Sequence, residues 1–432
     1  MKADSYVTSL IWPLRPSALV CMLLVCSFPF VGIFYLMVGE QSVPWVTRGL
    51  YLMYIGGWCL FGAHKVFRRR IQLGWLDALM FAYFVLLLYG YIRSDFASVE
   101  FKYFFALNCL PYLIGRLSSP DEIPSALVYM LMVSILATVL FDFSLPELFE
   151  IWARPDQYLQ HPIISTVGGI DEIMGMLSVF SAVYLLQYSD CLSKKKIILL
   201  IVIVMLCVAM AILLSSRTVY VASVITIIVS IFFVGNVFQK KNLSLLLLVA
   251  LISSTLMTYS FAPENNKRFI RQLGIGNLTK VSDSIARQSF DGIEAGDGVS
   301  VRLALWGEAL KKMSDSQWIG SGVEKWTYTH PKPHPHNVVL ESGQVFGIPS
   351  AFILLTFFGV IFFSSKDSKL VSKKEQLVRI SVIGLSFYFL INNLLQGQIG
   401  SFRSLPLFLL AGIATAIIAE SNLEKKEITS KL

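Results

Sequence analysis

The stretch "HPKPHPH" (330–336) holds three of the chain's five histidines, His330, His334 and His336, and runs directly into Asn337, Glu341 and an apolar segment. Two chemistries suit imidazoles at this spacing. They can bind zinc, or one can act as a general base, since an unperturbed pKa of about 6.5 suits proton removal from a hydroxyl at neutral pH. A third reading is a surface loop whose histidines are incidental. Pro331, Pro333 and Pro335 stiffen the loop, no nearby cysteine completes a ligand set, and a His-Glu-x-x-His helix is absent. The base therefore fits better than the metal site.

Three arginines form the second group of candidates. Arg217, in "LLSSRTVYVA", interrupts an otherwise continuous apolar stretch, and an ionisable group at membrane depth costs roughly 2.5–3.5 kcal/mol on insertion scales. It reads either as a snorkelling turn residue or as an anion-binding guanidinium, which grips a phosphate with two parallel donors. Arg302 lies on an amphipathic loop helix and Arg403 opens the last apolar segment in "QIGSFRSLPLF". Taken singly, these two read as a solvated helix residue and an interfacial anchor. Asp171 and Glu172 stand where a helix begins, a position that favours carboxylates; Asp142 acquires no role. No Asp-x-Asp, P-loop or Gly-x-Ser-x-Gly motif occurs.

The elements that must position these residues are set by hydropathy. Charged residues make up 15% of the 432-residue chain, against about a quarter in soluble domains, and apolar runs near membrane-spanning length recur from end to end. The pattern predicts an all-α, polytopic membrane protein with about twelve transmembrane helices. The segments are 18–38, 48–64, 75–92, 103–116 (interrupted by Pro111), 125–143, 171–188, 196–214, 217–238, 243–261, 343–363, 378–397 and 403–419. The first exceeds a signal-peptide core and lacks a clear cleavage site, so it reads as a retained helix.

Basic loops at 64–70, 193–196, 239–241 and 364–376, with the basic tail, fall on alternate sides of successive segments. That side is the cytoplasm by the positive-inside rule, and both termini lie there. The net charge of +8 thus reflects topology, and no nucleic-acid motif accompanies it. The opposite face carries Arg217, Arg302, Arg403, His161, His330, His334 and His336, leaving only His64 within. It also carries two larger polar segments, 144–169 and 262–340. The chain divides into helices one to nine (1–261), a large, partly helical periplasmic loop (262–342), and helices ten to twelve with the tail (343–432). In the loop, 299–313 reads as a helix with Val299, Leu303, Trp306, Leu310 and Met313 along one stripe, and Glu308 and Lys312 paired on the other face. The six cysteines form no Cys-x-x-Cys pair, so neither a disulfide frame nor a zinc knuckle is expected.

Four stretches together resemble the O-antigen ligase and polymerase superfamily, bacterial inner-membrane enzymes that act on undecaprenyl-diphosphate-linked glycans. They are "SSRTVYVA"; "VRLALWGEALKKMSDSQWIGSGVEKW" with its Gly-x-Gly turn; "HPHNVVLESGQVFGIPSAFILL"; and "FRSLPLFLLAGIA". The match runs mainly from Leu214 to Ala419. Gln317-Trp318 replaces the proline usual before the Gly-x-Gly turn. Ligases and polymerases share the His-Asn segment, and the Arg403 segment favours a ligase. The resemblance implies a periplasm-facing glycosyltransferase in the inner membrane, with a lipid A-core sugar hydroxyl as acceptor. Arg217 and Arg302 would bind the diphosphate and His336 would act as catalytic base; His334, Asn337, Glu341 and Arg403 would support them. No cofactor or metal is implied, because a lipid-diphosphate donor brings its own leaving group. The alternatives are a polymerase, which would extend lipid-linked repeats, and a flippase. The candidate residues bunch at one face, against the midplane placement that alternating access uses.

Overall fold

A computed structural model describes residues 73–94, 104–117, 170–213, 216–233, 241–261, 298–316, 318–322, 335–363, 373–397, 399 and 404–431. Segments 18–38, 48–64 and 125–143, the 144–169 loop, Asp142, His64, His161, His330, His334 and Arg403 lie outside the described residues. Among those described, every regular element is a helix.

The helices are α1 (Trp75–Arg93), α2 (Leu110–Leu117), α3 (Ile170–Tyr188), α4 (Lys194–Leu213), α5 (Arg217–Phe233), α6 (Lys241–Phe261), α7 (Gly298–Asp315), α8 (Val338–Phe346), α9 (Ile348–Phe363), α10 (Lys373–Gln396) and α11 (Leu405–Lys431). α1, α4 and most of α6 are long and apolar enough to cross a membrane, and α5, α9, α10 and α11 contain shorter apolar helices. Exposed leucines and isoleucines such as Ile198, Leu199, Leu245, Ile252 and Leu256 fit an all-α membrane protein, whose outer surface meets lipid rather than water.

Two expected segments differ in detail. The fourth runs through Pro111 as one helix: a π-helical turn (Phe105–Cys109) passes straight into α2, with Pro111 buried just after it, so the wider turn stands where proline's ring and missing N–H disturb the α-helical ladder. The tenth does not begin at 343. Gly347, at φ +96°, separates the short α8 from α9.

Close packing follows small residues. α2 and α11 cross where a Cβ on Gly115 would lie 2.0 Å from the Leu409 carbonyl oxygen, and one on Gly412 would lie 2.1 Å from that of Tyr112. Such small-residue crossings let backbones approach in the absence of a hydrophobic drive between helices. Tyr83, Phe357, Phe389 and Phe408 fill the core, with Tyr83 stacked on Phe408 at 6.1 Å. At the start of α1, Asp77 takes a 2.9 Å ion pair from Arg116 and a 3.0 Å hydrogen bond from Tyr112. At the other end of α1, Tyr91 stacks on Phe104, so α1 and the helix containing α2 are antiparallel. A second group, α3, α5 and α10, packs together pairwise, and α7 lies on α8.

Candidate active site

α8 is the centre of the site. Asn337 caps it: the backbone N–H groups of Val339 and Leu340 both donate to Asn337 Oδ1 at 3.0 Å. A cap satisfies donors that the helix itself cannot. His336, just before the cap, is half-buried and sits at φ +49°. Histidine is among the residues tolerated in this left-handed region, yet the conformation costs about 1–2 kcal/mol. Such outliers concentrate where the surroundings hold a side chain for function.

Arg302 reaches this region through α7. Trp306, one helical turn on, donates its indole N–H to the Pro335 carbonyl at 2.8 Å, directly before His336. Further along α7, Met313 packs so closely on Gly343 that a Cβ there would lie 2.4 Å from its methyl carbon. The Glu308–Lys312 pair forms as expected, at 3.3 Å. The apolar stripe does not face inward as a whole. Leu303 and Leu310 are 39% and 54% exposed, whereas Leu305 and Ala309 are buried and Arg302, Trp306 and Met313 are half-buried. Trp306 and Met313 of the expected stripe do meet the α8 region, while Arg302 is half-buried, as are Glu308 and Lys312.

The far end of α8 is gripped by the Gly-x-Gly turn. Ser321 N–H donates to the Gln344 carbonyl at 2.7 Å and Gly322 N–H to that of Val345 at 3.0 Å, satisfying last-turn carbonyls. Backbones touch here: a Cβ on Gly320 would lie 2.4 Å from the Gly347 nitrogen, and one on Gly347 2.0 Å from the Trp318 carbonyl oxygen. Trp318 itself is at φ +75°, a conformation closed to proline. Arg93, at the end of α1, donates to the Gly320 carbonyl. Sequence reasoning missed Arg93; a lone basic residue ending a helix looks like an ordinary dipole partner.

Glu341, one turn into α8, is buried and accepts the Ile399 N–H at 2.6 Å. Burial pushes its carboxyl up to about 8, against a smaller opposite pull from that N–H. Glu341 thus ties α8 to the segment that follows α10. Ser342, its neighbour, shares a 2.9 Å hydrogen bond with Tyr83.

Arg217 opens α5, where the positive end of the helix dipole adds to its charge; the Ser216 carbonyl accepts the first helical bond from Tyr220 at 3.0 Å. Thr218 donates its hydroxyl to Gln396 Oε1 at the end of α10. One turn earlier on α10, Asn392 donates to Glu172 at 3.3 Å, and both are buried. Glu172 is therefore more than a carboxylate at a helix start. The signal available in sequence was a charge inside an apolar segment.

Arg302 and His336 thus lie on directly bonded elements, and Arg217 connects to them through Thr218, Gln396, the Ile399 segment and Glu341. Residues 200–355 match the O-antigen ligase family. That is the superfamily the motifs resemble, and the matched segment contains Arg217, Arg302, His336, Asn337 and Glu341. Glu172, Asn392 and Gln396, which pack behind the O-antigen ligase segment, lie outside it. The family indicates a membrane enzyme of the ligase or polymerase type that transfers glycans. No curated protein and no solved structure matches the chain.

Proposed function

We propose that the protein is an inner-membrane O-antigen ligase working on the periplasmic face. The observation that carries this reading is the placement of His336: strained, half-buried, joined through Trp306 to the helix of Arg302, and inside the O-antigen ligase match.

The reaction is an inverting transfer. A sugar hydroxyl of the lipid A-core attacks the anomeric carbon of the undecaprenyl-diphosphate-linked glycan. The new C–O bond forms as the bond to the diphosphate breaks, and undecaprenyl diphosphate departs. His336 takes the hydroxyl proton. Arg217 and Arg302 neutralise the charge growing on the diphosphate, so the step proceeds in the presence of a metal chelator. The polyprenyl chain stays among the helices while diphosphate and glycan meet the site at the membrane boundary. His334 and Arg403 are the neighbouring groups this reading adds in support.

A deletion strain tests the assignment against its nearest rival. Loss of a ligase leaves bare lipid A-core and accumulated lipid-linked polymer; loss of a polymerase leaves a single repeat on the core. A single-repeat phenotype overturns the ligase reading.

A further inference from the structure

Behind Arg217 lies a buried polar ladder that no part of the reaction above uses. Thr218, 4% exposed, donates to Gln396; Asn392 lies on the same face of α10, one turn below, and donates to the buried Glu172 of α3. The ladder thus joins the starts of α3 and α5 to the end of α10, three helices that pack together pairwise. Its upper rung is attached to the residue next to Arg217. Polar groups between apolar helices are held by interhelical hydrogen bonds, and here two such bonds tie the end of α10 to the starts of α3 and α5.

We propose that Glu172, Asn392, Gln396 and Thr218 are positioning residues that fix the α5 start, and with it the Arg217 guanidinium, for a lipid diphosphate. This inference rests on the donor-binding role given to Arg217 above. A guanidinium fork needs fixed orientation to bind two oxygens at once, and the Thr218–Gln396 bond stops α5 from turning or sliding relative to α10.

The test is a double-mutant cycle on the full-length protein in detergent, read as binding of undecaprenyl diphosphate. Thr218→Val keeps the shape and removes the donor, and should weaken binding about five- to tenfold, the scale of one net hydrogen bond. Thr218→Ser keeps the donor and should stay within about twofold of wild type on the same scale. In an Arg217→Ala background, Thr218→Val should add nothing, because the two residues act as one unit. Gln396→Met removes the bond from the other side and is read by the same criterion. Unchanged binding in Thr218→Val, or a loss that persists undiminished without Arg217, overturns the inference. If Arg217→Ala alone binds the lipid normally, the donor-binding role of Arg217 fails instead.

Discussion

Asn337, His336 and Glu341 stand within six residues of one another yet do different work. Asn337 is a cap, and Asn337→Ala should lower stability by about 1 kcal/mol while Asn337→Asp keeps it, as thermal unfolding in detergent will read. His336 occupies a backbone conformation that glycine adopts without steric cost. His336→Gly should therefore fold about as well as wild type and still lose transfer, separating the imidazole's chemistry from its backbone strain. Glu341 has a carboxyl that folding makes harder to ionise, to about 8. A carboxyl raised in this way adds stability at pH below its unfolded range and loses it as pH climbs through about 8. Wild-type melting temperature should fall between pH 5 and 8 relative to Glu341→Gln, which cannot ionise. A constant difference between the two across that range would show that folding does not raise the Glu341 carboxyl.

At the scale of elements, α8 is clamped at both ends, by the Trp306 bond of α7 at its start and by the Gly-x-Gly turn at its finish. Gly347→Ala should destabilise by about 1–3 kcal/mol or more, since a methyl group meets the Trp318 carbonyl and φ is +96°. Trp306→Phe keeps an aromatic ring but loses the N–H donor and the second ring of the indole; it should cost about 1 kcal/mol or more and reduce transfer, measured as product formed by the purified variant. Much of this level was legible beforehand. Hydropathy placed α1, α3, α4 and α6 within two residues of their ends, because a membrane-length apolar run leaves few alternatives. It missed the break at Gly347, because Gly-Ile-Pro inside an apolar run also fits an uninterrupted helix. It missed the buried side of α7 at Leu305 and Ala309, because the stripe through Leu303 and Leu310 fits the helical period as well. The Glu172–Asn392 and Thr218–Gln396 bonds were not legible at all, since each joins residues far apart in the chain.

Across the whole molecule, the end of α1, the start of α5, the α8–α9 junction and the end of α10 meet through Arg93–Gly320, Thr218–Gln396 and Glu341–Ile399 bonds. The family match covers the part that holds Arg217, Arg302 and His336. The family was readable from the motifs and the apolar helices from hydropathy; the buried scaffold behind them was not. The most direct measurement of the account is transfer in vitro, with purified protein, an undecaprenyl-diphosphate-linked glycan and a lipid A-core acceptor, in detergent with no ion gradient. Wild type should form glycan-bearing lipid A-core, and a folded His336→Ala should form none. A His336→Ala that turns over like wild type would contradict the account.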